Sequence, residues 1–460
     1  MLHSNNRRGV FDITGGGTVR ILIGMSNCSK LDSAAESELD EKAVLNFRTY
    51  LQFATVHPKP NYRPALTWLR SLGCELSLDC YVTEIVPENP ILVMRWEGSS
   101  PELPAILLNS HMDVVPVDES KWTYPPFGAT LSQDGKIYAR GAQDIKCLGI
   151  QQLEAVRRLK ARGHNQLRRT VYISFVPDEE LGGKLGMAPF VAGHNPPSDK
   201  FPNEIRFSEM NIGLLMDEGL ANPTNEYLAF YEERRPCWFV ARFHGKTGHA
   251  SALMENTAGE KLAKFLDRIM TFRKREEERL KNSNGELGLG DVVSVNLTML
   301  SGGMQLNILP PELSATFDAR LTPTYSLDAW KGQLNQWAEE IGGGVDFEFI
   351  NTGVQYWEPS TCPDEKTNPW WSALIKVCQN AGVPVRKCIF PGSTDARFVR
   401  EYNLLPGSPA GEKPIQAIGF CPIRNTPTLF HDHDEYISRD EFVRGCRLYA
   451  DLLFELALTA

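Results

Sequence analysis

The sequence predicts an α/β domain that is interrupted by a smaller inserted α+β domain. Short apolar runs that end in polar or charged residues recur along the first half of the chain, as expected for buried strands of a sheet. From about residue 231 the predicted elements follow the order β-α-β-β-α-β, the split βαβ or ferredoxin-like arrangement. After about residue 353 the α/β pattern returns, so the first domain resumes behind the insertion.

The length of the chain, 460 residues, also favours two domains. We expect a largely disordered N-terminal extension over residues 1–40. The main domain is expected over 41–230 and 353–460, with the insertion over 231–352. Residues 1–24 lack the order of basic, apolar and small residues of a signal peptide. We expect them to be a disordered tail or an extension upstream of a start at Met25.

Composition narrows the classes of function. The net charge is -9 and the acidic residues are interspersed with basic ones, which argues against a nucleic-acid partner. The ten cysteines are scattered, with no Cys-x-x-Cys spacing, as is typical of reduced thiols in a cytosolic protein. No run of eighteen apolar residues occurs, so the sequence predicts no membrane span. We therefore expect a cytoplasmic protein.

The main domain is predicted to begin with two helices and two strands. Apolar residues recur at helical spacing over 41–53. A second helix covers 63–71, with Gly73 as its stop. Strands follow over 80–86 and 90–97.

Three further apolar runs each end in histidine or acidic residues. The runs are typical of buried strands, and an open α/β sheet binds ligands beyond the carboxyl ends of its strands. The runs and the polar residues behind them are 106–108 with His111 and Asp113, 170–176 with Glu179 and Glu180, and 212–216 with Glu218. A single such histidine is often only a satisfied polar residue at a strand end. Three endings of this kind favour a shared site.

Two more candidate ligands lie in loops beside helices. Asp144 precedes an amphipathic helix, where a carboxylate is also a common N-cap, so both roles stay open on this pattern alone. His431 lies in the sequence HDHDE, just before a last helix over 439–456. A strand over 415–420 and a helix near 368–381 precede it.

The insertion contains its own motif and its own elements. A strand over 238–244 runs into a glycine-rich loop that carries His249. The remaining predicted elements are a helix over 258–280, strands over 292–300 and 312–321, a helix over 327–341 and a strand over 345–350.

The candidate ligands suit a pair of metal ions. His111, Asp144, Glu180, Glu218 and His431 supply two imidazoles and three carboxylates. Two divalent metals that share a water need a bridging carboxylate and terminal ligands on each side. Nitrogen and oxygen ligands of this kind suit zinc better than calcium or magnesium, and cobalt or manganese can substitute.

The motifs resemble, in order, those of the dinuclear-zinc peptidases and amidohydrolases, the family that includes aminoacylase and glutamate carboxypeptidase. The resemblance spans about residues 41–456 and departs in the N-terminal extension, around 195–207 and around 407–413. It implies a zinc-peptidase-like α/β catalytic domain with an inserted lid or dimerisation domain. The motifs, nearest to those of the aminoacylases, are NSHMDVVPV, YARGAQDIK, FVPDEELGG, MDEGLANPT, GKTGHAS, NPWW and HDHDE.

The resemblance also implies a set of metal ligands. His111 and Glu218 would hold one zinc ion, and Glu180 and His431 would hold the other. Asp144 would bridge the two ions.

Further roles implied by the resemblance concern the reaction and the substrate. Glu179 would be the general base, and Asp113 would orient a ligand histidine. His249 would stabilise the oxyanion, across a dimer interface. Asn307 and Arg320 would receive the substrate carboxylate, although turn chemistry and a surface salt bridge are the respective alternatives for them.

The implied function is zinc-dependent hydrolysis of N-acyl-L-amino acids, a small-molecule substrate, by a homodimer. A dipeptidase or carboxypeptidase on the same scaffold is the alternative enzyme. A metal-free binding protein is a third reading, which the complete set of ligands disfavours.

Overall fold

The computed structural model describes residues 31–193, 204–351, 361–404 and 415–459. Within these residues the helices are α1 (Ser33–Leu51), α2 (Arg63–Glu75), α3 (Lys146–Ala161), α4 (Met187–Val191), α5 (Ala258–Lys281), α6 (Leu327–Glu340), α7 (Pro369–Asn380), α8 (Ala396–Glu401) and α9 (Arg439–Leu458). The strands are β1 (Asp79–Val86), β2 (Asn89–Trp96), β3 (Ala105–His111), β4 (Thr130–Leu131), β5 (Lys136–Tyr138), β6 (Val171–Val176), β7 (Ile212–Asp217), β8 (Tyr227–Glu233), β9 (Arg235–His244), β10 (Gly248–His249), β11 (Ser294–Gly302), β12 (Ile308–Leu309), β13 (Glu312–Leu321), β14 (Val345–Asn351), β15 (Val385–Phe390), β16 (Gln416–Phe420) and β17 (Tyr436–Ser438).

An eight-stranded sheet forms the centre of the main domain, in the order β1-β2-β6-β3-β7-β16-β8-β15. The three strands predicted to end in ligands are neighbours, because β3 pairs in parallel with both β6 and β7. β16 pairs in parallel with β7. The antiparallel pairs are β1 with β2, β2 with β6, and β8 with β16. The carboxyl ends of β6, β3, β7 and β16 therefore open on one edge of the sheet.

Helices cover both faces of this sheet. One face packs on α1, α2, α3, α7 and α9 in an apolar core that includes Phe47, Leu153 and Leu453. The other face packs on α4 and α8 through residues such as Phe190 and Val399. Burial on both faces explains the continuous apolar runs in the central strands, such as residues 105–108 of β3.

The inserted elements form a separate four-stranded antiparallel sheet, in the order β11-β13-β9-β14. Along the chain they follow the predicted order β-α-β-β-α-β, with α5 and α6 as the two helices. Aromatic residues dominate the core of this unit, where Phe239, Phe265 and Trp330 are fully buried.

The change of sheet falls slightly later than the predicted boundary at residue 231. Strand β8, which ends at Glu233, still belongs to the eight-stranded sheet, and β9 begins the second sheet at Arg235. The predicted return to the main domain, near residue 353, lies outside the described residues.

The first helix begins earlier than predicted. Residues 1–30 of the expected extension lie outside the described residues, but α1 already starts at Ser33, where the Asp32 carboxylate accepts the N–H of Ala35. Ion pairs hold its first turns against α3: the fully buried Arg158 of α3 donates to Asp40 and also pairs with Glu36. Ion pairs leave no apolar periodicity, so the sequence pattern missed this part of the helix.

The second helix also differs from prediction, since it continues past Gly73 to Glu75. A Cβ atom at Gly73 would come within 2.6 Å of Cys80 Sγ and 2.9 Å of Met94 Sδ. The glycine therefore permits close packing of the helix on β1 and β2 and does not terminate it.

Glycine at another helical position is predicted to be required for packing near the site. A Cβ at Gly149, in α3, would lie 2.6 Å from Phe175 Cε1 and 2.8 Å from Ser110 Oγ, whereas a Cβ at Gly332, in α6, meets nothing within 4 Å. Gly149→Ala should lower the free energy of unfolding by roughly 1–3 kcal/mol through overpacking. Gly332→Ala should raise it by up to about 1 kcal/mol through helix propensity. Denaturant unfolding of both variants checks the two signs, and stabilisation by Gly149→Ala would contradict this packing.

Candidate metal centre and active site

The predicted ligands come together at the carboxyl edge of the eight-stranded sheet. His111 ends β3, Glu180 lies in the turn after β6, and Glu218 follows β7. Ligand atoms of His111, Asp144 and Glu180 lie within 4.8 Å of one another, as do those of His111, Glu179 and Glu218. The carboxylate of the predicted general base, Glu179, thus lies within 4.8 Å of ligand atoms of His111 and Glu218.

Asp144 stands between the two histidines. Its Oδ1 lies 3.1 Å from His111 Nε2, and its Oδ2 lies 3.2 Å from His431 Nε2. His431 Nε2 is also 3.0 Å from Glu180 Oε2. Tetrahedral ligands at about 2.0–2.1 Å from zinc are roughly 3.3 Å apart, so these separations fit ligands that share an ion. The N-cap role is excluded, because α3 begins at Lys146 without a side-chain cap.

The tautomer of His111 is set by a main-chain carbonyl. Its Nδ1 lies 2.9 Å from the carbonyl oxygen of Asp113, which can only accept, so Nδ1 donates and Nε2 faces the cluster. We expected Asp113 to orient this ring, but its carboxylate oxygen is 3.8 Å from Nδ1. That carboxylate accepts instead from His57 Nε2, at 2.8 Å. Sequence reasoning missed His57, because it lies in a proline-rich loop without a recognisable motif.

The site carries an excess of negative charge. Burial raises the pKa of Glu218, Glu179 and Glu180, and neighbouring carboxylates raise each of them further. Burial also opposes ionisation of Asp144, but hydrogen bonds from His111 and His431 hold its pKa below the usual value.

The same carboxylates act on the histidines. Hydrogen bonds to Asp144 and Glu180 raise the pKa of His431 to about 10. Within the described residues, buried Glu180 Oε1 has no hydrogen-bond partner. A set of clustered carboxylates with an unpartnered buried oxygen and two imidazoles fits divalent cations.

Glu435 links the loop that carries His431 to the loop that carries Asp144 through hydrogen bonds. This fully buried carboxylate accepts from Arg140 Nη1 at 2.8 Å and from the Asp144 N–H at 3.1 Å. Burial raises its pKa to about 7, although Arg140 opposes the shift. The segment before Asp144 also contains β4 and β5, and β5 pairs with β17 in a three-stranded sheet. Sequence analysis had assigned no role to Glu435.

A cleft of about 810 Å³ lies between the two sheets, beside the candidate metal ligands. Arg320 lines it, but its guanidinium is held by Asp318 through contacts of 2.8 and 3.1 Å, the salt bridge that the sequence analysis left as the alternative. Two further arginines that the sequence analysis did not single out, Arg234 and Arg397, also line the cleft. Apolar lining comes from residues of both sheets and their loops, namely Leu220, Pro236, Trp238, Leu289, Phe390, Phe398 and Phe430.

Two other predicted residues lie away from this cleft. His249 and Asn307 are exposed and absent from its lining. They lie side by side, because β10 pairs with β12 and the Ala250 N–H donates to the Asn307 carbonyl. Within the part of the chain described, they are therefore not brought to the candidate metal ligands of the same chain.

Sequence comparison decides the family. The model of peptidase family M20/M25/M40 matches residues 107–455. The chain belongs to this family. Aminoacylase-1 of Mus musculus is 43% identical over 422 residues, which cover 92% of this chain and 97% of that protein. The resemblance found in the motifs is thereby confirmed, and this M20 member is a hydrolase of amide bonds.

Solved structures share the fold of this M20 chain. The M20 metallo-carboxypeptidase Sso-CP2 of Sulfolobus solfataricus matches with a TM-score of 0.64 at 16% identity, over 91% of this chain and 99% of that chain. The YXEP protein of Bacillus subtilis, a dinuclear metal-binding M20 peptidase, matches with a TM-score of 0.61 at 13% identity, over 92% and 100% of the two chains. No helix in the described part of the chain is long and apolar enough to cross a membrane.

The position of Asp144 predicts that its loss affects every bound ion. Asp144→Ala should reduce the metal content of purified protein by well over half, because one carboxylate faces both histidines. Elemental analysis after dialysis measures this loss, and Asp328→Ala, at an exposed position in α6, is the matched control. A variant that retains the full wild-type metal content would exclude a bridging role.

Proposed function

We propose that the chain hydrolyses the amide bond of N-acyl-L-amino acids with two zinc ions. The observation that carries the proposal is Asp144, which lies between His111 and His431 with one oxygen toward each. The identity of 43% to an aminoacylase-1 over nearly the whole chain supports this substrate class. The dinuclear metal binding of the YXEP protein supports the number of ions.

The distances are consistent with the ligand sets that the family resemblance implies. His111 and Glu218 would hold one ion, Glu180 and His431 the other, and Asp144 both. Bound zinc would supply Lewis-acid chemistry, lowering the pKa of water and polarising the amide carbonyl. The unpartnered Glu180 Oε1 is consistent with a ligand position.

Glu179 would move the protons of the reaction. Its backbone N–H and that of Glu180 both donate to Asp113, which fixes the turn behind β6. Burial raises the pKa of Glu179, which makes its carboxylate a stronger proton acceptor. It would take a proton from the attacking water and deliver it to the leaving amine.

The cleft would hold the substrate between the two sheets. Arg320 would offer its guanidinium to the substrate carboxylate, beside Asp318, which pairs with it and lines the same cleft. The exposed ring of Trp238 provides apolar surface for a side chain or acyl chain.

A second copy of the chain would complete the site. His249 and Asn307 lie in a surface region that also exposes Leu253, Met304 and Leu306. An exposed apolar patch of this kind is typical of a protein interface. Strand β11 is an edge strand of the inserted sheet and exposes Met299, so it can pair with a partner. In such a homodimer His249 would donate to the oxyanion in the partner's cleft.

The state of the thiols supports a cytoplasmic location. All nine cysteines among the described residues are free. Free thiols at this number are typical of a reducing compartment.

The substrate class is tested with two amides of one amino acid. N-acetyl-methionine should be hydrolysed with a much higher kcat/KM than an unblocked dipeptide that ends in methionine. The purified, zinc-loaded protein is assayed by release of free methionine. Faster cleavage of the dipeptide would favour a dipeptidase on the same scaffold.

Glu179→Gln tests the assignment of the base. The variant should keep its zinc and lose roughly a hundredfold or more in kcat, because an amide cannot accept the proton. Glu278→Gln, at an exposed position of α5, is the control and should be fully active. Retention of more than about a tenth of kcat, against the expected hundredfold loss, would remove Glu179 from the role of base.

Complementation tests the shared site. Glu179→Gln chains and His249→Ala chains should each be inactive, while subunit exchange should restore activity. A mixed dimer contains one cleft in which both residues are intact. Heterodimer formation is verified by native mass spectrometry with one chain isotopically labelled. Proven heterodimers without activity would place His249 outside the partner's site.

A further inference from the structure

His57 is buried beside the active site and belongs to none of the proposed ligand sets. Its Nε2 lies 2.8 Å from Asp113 Oδ2. A carboxylate of this kind accepts only, so Nε2 carries the proton. Asp113 is fully buried, and a buried carboxylate requires donors on its oxygens.

The remaining donors to Asp113 come from the catalytic turn. Oδ1 accepts the N–H of Glu179 at 3.2 Å, and Oδ2 accepts the N–H of Glu180 at 3.0 Å. One carboxylate thus fixes the main chain of both the proposed base and a proposed ligand. The residue before them, Asp178, has a left-handed φ of 69°. Residues other than glycine adopt this backbone conformation in only a few per cent of cases, so surrounding contacts must stabilise it.

The main chain also holds the His57 ring in place. The backbone N–H of His57 donates to the Val114 carbonyl at 3.2 Å, and the Val114 N–H donates to the Thr55 carbonyl at 3.0 Å. The segment therefore adds a short parallel bridge to the chain directly behind Asp113. This bridge keeps the imidazole and the carboxylate in register.

Neighbouring carboxylates raise the pKa of the His57 imidazole. Its hydrogen bond to Asp113 raises the pKa of the imidazole, although partial burial opposes the shift. Asp178 and Glu180, from the turn, add to the effect.

We propose that His57 is a positioning residue for the hydrolysis: it fixes the Asp113 carboxylate, which in turn places the amides of Glu179 and Glu180. The inference rests on the proposed function for its kinetic consequence. It assigns His57 no contact with substrate or metal.

Two substitutions separate hydrogen bonding from packing. His57→Phe keeps a ring of similar shape but removes the donor, whereas His57→Gln keeps an N–H donor but removes the ring. A positioning role predicts that Phe lowers kcat by roughly 10–100-fold, the usual effect of losing a group that orients the residues of a metal site. It predicts that KM and zinc content stay near wild type and that Gln restores most of kcat.

A second measurement is independent of turnover. Hydrogen–deuterium exchange of the peptide over residues 176–184 should be faster in His57→Phe and near wild type in His57→Gln. His244→Phe is the matched control, since His244 Nε2 lies at the same 2.8 Å from Asp346 but is solvent-exposed in the inserted unit. It should leave kcat and exchange unchanged.

Every other pattern overturns the proposal. If His57→Phe stays active and His57→Gln loses kcat, His57 acts through packing. If both variants lose kcat equally, the loss is not caused by removal of the hydrogen-bond donor. Unchanged exchange in His57→Phe would show that Asp113 holds the turn without His57. Should wild-type protein fail to hydrolyse N-acyl amino acids, the exchange measurements still decide the positioning role separately from the substrate.

Discussion

Repulsion among clustered carboxylates is the constraint on which this structure depends. Asp144, Glu179, Glu180 and Glu218 converge at one edge of the main sheet, and burial raises the pKa of the three glutamates. Such an arrangement is stable only where cations or hydrogen-bond donors offset the charge. Two histidines face the cluster, and peptide N–H groups and Arg140 satisfy the surrounding carboxylates of Asp113 and Glu435.

The architecture divides the chemistry between the two sheets. The eight-stranded sheet supplies every proposed metal ligand from strand ends and the loops beside them, so the cluster rests on a rigid base. The inserted sheet supplies Arg320 and Trp238 to the opposite wall of the cleft. A substrate held between them would contact both units at once. On the proposed assignment, the insertion would contribute to substrate recognition and the eight-stranded sheet would hold the hydrolytic residues.

The sequence predicted the parts of the site that depend on local pattern. His111, Glu180 and Glu218 follow apolar strands, and parallel pairing of neighbouring strands is enough to bring such endings together. Contacts between distant segments were not predictable: they pair Asp113 with His57, fasten Glu435 to the Asp144 loop and dock the first turns of α1 through Arg158. Helix α2 continues beyond Gly73 because its packing on β1 and β2 outweighs the local signal for a helix end. Likewise, no local pattern indicates that His249 is exposed and lies away from the cleft.

X-ray diffraction at the zinc absorption edge tests the central claim most directly. Crystals of the zinc-loaded protein should show two anomalous peaks per chain, separated by about 3.5–4 Å as in other two-metal sites. Asp144 should lie between the peaks, with His111 at one and His431 at the other. A single peak, or two peaks that do not share Asp144, would contradict the dinuclear site.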